Sequence, residues 1–89
     1  VTDPLAPLKA RFRLRAAEDL ERLERLWTEE PDSADIRRTV HDLAGSAGIF
    51  GHPALGEAAL AIDDRYASGG HPEQPQMDLL LQRLREAAG

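Results

Sequence analysis

The chain has 89 residues, 42% of them hydrophobic and 30% charged, which allows one small core and no apolar run long enough to cross a bilayer. Its formal net charge of -5 argues against nucleic acid as a partner, because phosphate backbones are met by basic surfaces. With no cysteine, disulfides, thiol nucleophiles and thiolate metal sites are excluded.

That length suits one domain over residues 1–89, the composition and lack of a bilayer-length apolar run suit a cytoplasmic location, and a monomer is expected. The opening Val-Thr-Asp-Pro-Leu-Ala-Pro lacks the charged-then-apolar build of a signal peptide. Asp3-Pro4 or Ala6-Pro7 can open a first helix, expected from about Leu5 to Trp27. Its apolar positions Leu8, Phe12, Ala16, Leu20, Leu23 and Trp27 are three or four apart, and Leu26 widens the stripe. Glu18 with Arg22 and Glu21 with Arg25 are spaced to pair on its polar side, a solvated face.

Pro31 stops that helix, and Ser33 or Asp32 can cap the next by accepting from an exposed backbone N–H. The second helix is expected from Ala34 to Phe50, with Ile36, Val40, Leu43, Ala47 and Phe50 on one buried face. At about 100° per residue these five fan over roughly 80°, and His41 points away from them. Gly45 and Gly48 fall within roughly 40° of the His41 direction, and Arg37 and Arg38 flank it one turn earlier. Each interior glycine costs about 1 kcal/mol of helix propensity relative to alanine. Either another segment packs closely there, or the strip clears the way to the imidazole.

Gly51 followed by Pro53 is an ordinary helix ending, and the short Gly51-His52-Pro53 connection makes the third helix turn back antiparallel. That helix, about Ala54 to Ala67, places Leu55, Ala58, Ala59, Ile62 and Tyr66 at helical spacing. The longest loop spans Ser68 to Pro75. A fourth helix, about Gln76 to Ala87, buries Met77, Leu80, Leu81 and Leu84. No segment alternates with period two, so the fold is expected to be all-α, an antiparallel up-down-up-down four-helix bundle. A three-helix core with a peripheral fourth helix is the alternative.

His52 and His71 each precede a proline at a turn and read as surface residues. His41 asks for more explanation, being outward-facing with two glycines and two arginines beside it. A neutral imidazole nitrogen can attack electrophilic phosphorus, and arginine forks can hold an anion nearby. Ser46 lies well round from His41. No Gly-rich phosphate loop, no nucleophile with an evident base and orienting acid, and no metal-binding spacing is present. The chain is therefore not expected to be an enzyme in its own right or to bind a metal or cofactor.

The run Arg-Arg-Thr-Val-His-Asp-Leu-Ala-Gly-Ser-Ala-Gly-Ile-Phe-Gly resembles the histidine-containing phosphotransfer (HPt) family. His41, Gly45 and Gly51 match that family's histidine and its glycines four and ten residues on. Ala44 departs from it, standing where the family usually has a lysine that helps to hold the phosphoryl group. The resemblance, which extends from about Leu8 to the end, implies a phosphorelay intermediate of two-component signalling. His41 would be its phosphoacceptor, exchanging with the aspartate of a response-regulator receiver domain or charged by a histidine kinase. Mg²⁺ would belong to the receiver. Arg37, with Arg38, would then stand in for the lysine, while Gly45, Gly48 and the off-core Ile49 would admit and dock the partner. Two other readings are a binding module that carries no phosphate, because Ala44 has removed the cation, and a helical dimerisation domain that packs on Gly45 and Gly48.

Overall fold

The computed structural model describes residues 3–89 and contains four helices: α1, Ala6–Glu29; α2, Ala34–Ser46; α3, Pro53–Ala67; and α4, Gln74–Ala88. Among the described residues there is no strand. Local chemistry explains the beginnings of α1, α2 and α4. The Asp3 carboxylate accepts from the Leu5 N–H at 2.9 Å, and Pro7 sits in the first turn of α1, where its missing N–H costs nothing. Ser33 Oγ accepts from the Asp35 N–H at 3.2 Å to open α2. At α4 the side chains of Glu73 and Gln76 each accept from the other's backbone N–H, so this helix begins earlier than Gln76 and takes in Pro75.

The second helix is shorter than its apolar period suggests. Regular α structure ends at Ser46, and residues 47–51 form a tightened turn. The Gly51 N–H reaches the Gly48 carbonyl at 3.2 Å and the His52 N–H reaches the Ala47 carbonyl at 2.9 Å, with Gly51 at φ +90. That is a Schellman ending, which only a residue tolerant of left-handed φ accepts cheaply. The chain still rotates roughly as a helix through this turn, so Ala47 stays buried and Phe50 half-buried.

All four helices contribute to one hydrophobic core, including Phe12, Leu23, Ile36, Leu43, Leu55, Ile62, Met77, Leu80 and Leu84. Leu20, Trp27 and Tyr66 pack against it half-buried. Leu8, expected in the stripe, is 42% exposed. The reason is length: at about 1.5 Å per residue the 24 residues of α1 outreach α2, α3 and α4, which have 13, 15 and 15. Phe12 stacks on Phe50 and His52 of the α2–α3 turn, at 5.2 and 5.4 Å between centroids, and the residues before it have less to pack on. His52 is thereby a half-buried stacked ring and not a surface residue.

The polar side of α1 also differs from a solvated face. Arg22 does not pair with Glu18 but donates to Asp19 Oδ1 at 2.6 Å and to Thr39 Oγ1 of α2 at 3.1 Å. Asp19 is buried, 2% exposed, and Arg15 reaches both it and Asp42 of α2 at 3.6 Å. A carboxylate this buried needs cations, and here the cations tie α1 to α2.

Candidate functional site

The close pairing of α2 with α3 assembles the site. His41 leaves α2 on its outer face with 72% of its side chain exposed. Its Nδ1 lies 3.1 Å from Oδ2 and 3.3 Å from Oδ1 of Asp63, a side chain of α3 that is only 23% exposed. A carboxylate only accepts, so the bond has His41 Nδ1–H as donor. In the neutral ring this leaves the lone pair on Nε2, the nitrogen turned away from Asp63. Linear spacing alone shows no orienting acid for a nucleophile. Asp63 is that acid, supplied across a helix interface that linear spacing does not reveal.

Arg37, Arg38, His41 and Asp63 with Ala34 line an open pocket of about 360 Å³. Both arginines expected near His41 are thus at its side, each already engaged. Arg38 Nη1 lies 3.2 Å from Asp35 Oδ1, and the Arg37 guanidinium stands 5.6 Å over the Tyr66 ring. Ser46 takes no part, since its Oγ donates to the Asp42 carbonyl at 2.8 Å. Ala44 is half-buried against the core and places no cation at the pocket.

The two reasons for a glycine strip are separated by the structure. A Cβ at Gly45 or Gly48 would meet nothing within 4 Å, so neither glycine is there for close packing. The close approach is made by Gly56 of α3, whose added Cβ would stand 3.5 Å from the Gly48 nitrogen and 3.7 Å from Ala47 Cβ. Ile49 is 69% exposed, and Leu60 is 49% exposed. Leu60 lies one turn before Asp63 on α3, so it shares the His41-facing edge. Neither Leu60 nor Asp63 is among the residues expected at the site from the sequence. The available signal was the row Gly56, Leu60 and Asp63, four and three apart, beside the core row of the same helix.

The three histidines do not converge: His52 stacks on Phe12, and His71 meets the Tyr66 ring edge-on at 6.3 Å. Among the described residues no group of three His, Asp or Glu side chains is placed to hold a metal ion. None of their helices is long and apolar enough to cross a membrane.

The model of the Hpt domain family matches residues 7–88, nearly the whole chain. The chain belongs to the Hpt family. Neither the curated proteins nor the solved structures yielded a match. Hpt domains are helical bundles that serve as phosphocarriers in the phosphorelays of two-component signalling. Their partners are receiver domains and kinases. In this Hpt domain the exposed imidazole, the carboxylate behind it and the unobstructed glycine strip lie on one edge of the α2–α3 pair.

Proposed function

We propose that this Hpt domain is a phosphorelay intermediate that carries a phosphoryl group on His41 Nε2 and exchanges it with the aspartate of a response-regulator receiver domain. The observation that carries this reading is the bond from His41 Nδ1 to Asp63, which leaves Nε2 as the free and exposed nucleophile. In the forward step the Nε2 lone pair attacks phosphorus of the aspartyl phosphate. The P–N bond forms as the P–O bond to the aspartate breaks, and the carboxylate departs with that electron pair. The Nδ1 proton stays in place, where Asp63 balances the positive charge that develops on the ring. Return of the group to another receiver is the same step reversed.

Arg37 and Arg38 hold the phosphoryl oxygens by charge-assisted bonds, in the role the family gives to the lysine replaced by Ala44. Gly45 and Gly48 give the partner's backbone access, with Ile49 as an apolar contact. The domain supplies position and charge only; Mg²⁺ and the remaining groups for transfer belong to the receiver. The short connections favour an antiparallel up-down-up-down course of the helices, one domain over residues 1–89. We place the protein in the cytoplasm as a monomer.

The test is incubation with a receiver phosphorylated on its aspartate, followed by peptide mapping. An acid-labile, alkali-stable phosphoryl group on the His41 peptide, absent in His41→Gln, is the expected result. The lack of a cation at position 44 favours a second reading, a module that binds the receiver without accepting phosphate. Binding that survives His41→Gln, with no transfer to the parent chain, would establish that reading instead.

A further inference from the structure

Arg37 and Arg38 are neighbours on α2 and both line the His41 pocket, yet they are held by different kinds of partner. Arg38 travels with the Asp35 carboxylate, 3.2 Å away. Arg37 has no carboxylate within 4.0 Å among the described residues, and its Cζ lies 5.6 Å from the Tyr66 ring centroid instead. The distinction decides what an incoming anion feels. A carboxylate cancels most of the field of the guanidinium it pairs with, whereas an aromatic face attracts the cation through its quadrupole and leaves the charge intact.

Tyr66 is well placed for this. It follows Asp63 by three residues on α3, so the ring and the carboxylate that orients His41 ride on one rigid element. His71 backs it edge-on at 6.3 Å, and a cavity of about 320 Å³ beyond Arg37 is lined by both rings and by Ser33. Burial pushes the Tyr66 phenol above its ordinary value, Arg37 pulls it down, and Asp32 adds to the rise.

We propose that Tyr66 is a positioning residue for phosphoryl exchange at His41: its ring parks Arg37 as an uncompensated cation beside the pocket, from which the guanidinium swings onto the phosphoryl oxygens. The proposal rests on His41 as the carrier. It adds a residue that touches neither the imidazole nor the phosphoryl group and acts through Arg37. The ring releases its cation without leaving a competing negative charge behind, as Asp35 would behind Arg38.

Tyr66 is the single tyrosine of the chain, so its ionisation can be followed by ultraviolet absorbance during alkaline titration. Arg37→Gln, a change at an exposed position, is expected to move the tyrosinate midpoint upward; an unchanged midpoint would overturn the contact without reference to any transfer reaction. In transfer from a phosphorylated receiver, Tyr66→Leu is expected to slow uptake about two- to fivefold, the scale of an exposed cation–π contact. Tyr66→Phe, which keeps the ring face, should retain the rate, and Tyr66→Leu should add nothing to Arg37→Gln. Equal rates in the parent and Arg37→Gln would overturn the proposal even if Tyr66→Leu failed to fold. If the parent takes up no phosphoryl group, the functional reading fails and the positioning role with it, while the titration still reports the contact.

Discussion

His41 Nδ1 lies 3.1 Å from Asp63 Oδ2 across the seam between α2 and α3, and this contact selects which imidazole nitrogen carries a proton. Asp63→Ala should release the ring to the mixture of tautomers of a free imidazole. Nitrogen chemical shifts of His41 would then change from an Nδ1–H pattern to one dominated by Nε2–H. Loss of a charge-assisted bond worth about 1.5–3 kcal/mol predicts transfer slower by roughly tenfold or more. Stability of the free domain should fall by less than about 1 kcal/mol, because solvent screens the pair at the exposed His41, whereas the full bond is felt in the dehydrated docked complex. A pattern already dominated by Nε2–H in the parent would remove the basis for Nε2 attack.

Access to His41 gives the second prediction. Gly45→Leu meets open space and replaces a poor helix former with a good one, so the thermal midpoint should hold or rise. Transfer should nevertheless be lost, because the side chain stands in the partner's path. Unchanged transfer with full stability would deny the strip any role in access. Gly48→Leu separates this from dimerisation: a mass that depends on concentration in the parent and collapses in the variant would assign the strip to self-association.

Much of the fold was legible because α2, α3 and α4 bury the residues their periods single out, as with Ile36, Ile62 and Leu80. Ser33 and Gly51 likewise carry their chemistry locally, in a cap and a turn. Leu8 failed because a periodic stripe says nothing of how far neighbouring helices extend alongside it. Asp63 and Asp19 were illegible for a related reason. An acidic residue among other acidic residues reads as solvated until a neighbouring helix is placed against it: Asp63 finds His41 of α2, remote in sequence, and Asp19 is buried while its partner Arg22 reaches over to Thr39 of α2. For the same reason Arg37 was readable as a cation near His41, but not as one resting on Tyr66.

Asp19 yields a dependence on pH. Burial pushes its carboxyl above the ordinary 3.8, against the pull of Arg22 and Arg15. As pH rises past 3.8, unfolded chains release this proton before folded ones do, so the folded state loses stability until the folded carboxyl also ionises. Above that point the contribution is constant. Asp19→Asn lacks the step, and urea unfolding of the two proteins should show the parent losing ground to the variant as pH rises from about 3.5. A parent that gains on the variant over that window would mean the arginine pairs outweigh burial.

Two glycines of one segment should respond oppositely to alanine. Gly51 stands at φ +90, where a Cβ costs about 1–2 kcal/mol, so Gly51→Ala should lower the thermal midpoint by roughly 4–8 °C per kcal/mol. Gly45 lies within α2 with free space around it, and Gly45→Ala should stabilise by up to about 1 kcal/mol. Thermal unfolding followed by circular dichroism reads both. Equal effects would mean that Gly51 does not terminate the helix as described.

The central claim is tested most directly by nuclear magnetic resonance of the chain after exposure to a phosphorylated receiver, with imidazole nitrogens labelled to distinguish the two phosphohistidine isomers. The account predicts one phosphorylated histidine, His41, substituted at Nε2 with its proton kept on Nδ1 toward Asp63. Phosphate on Nδ1, on His52 or His71, or on no histidine at all would contradict it.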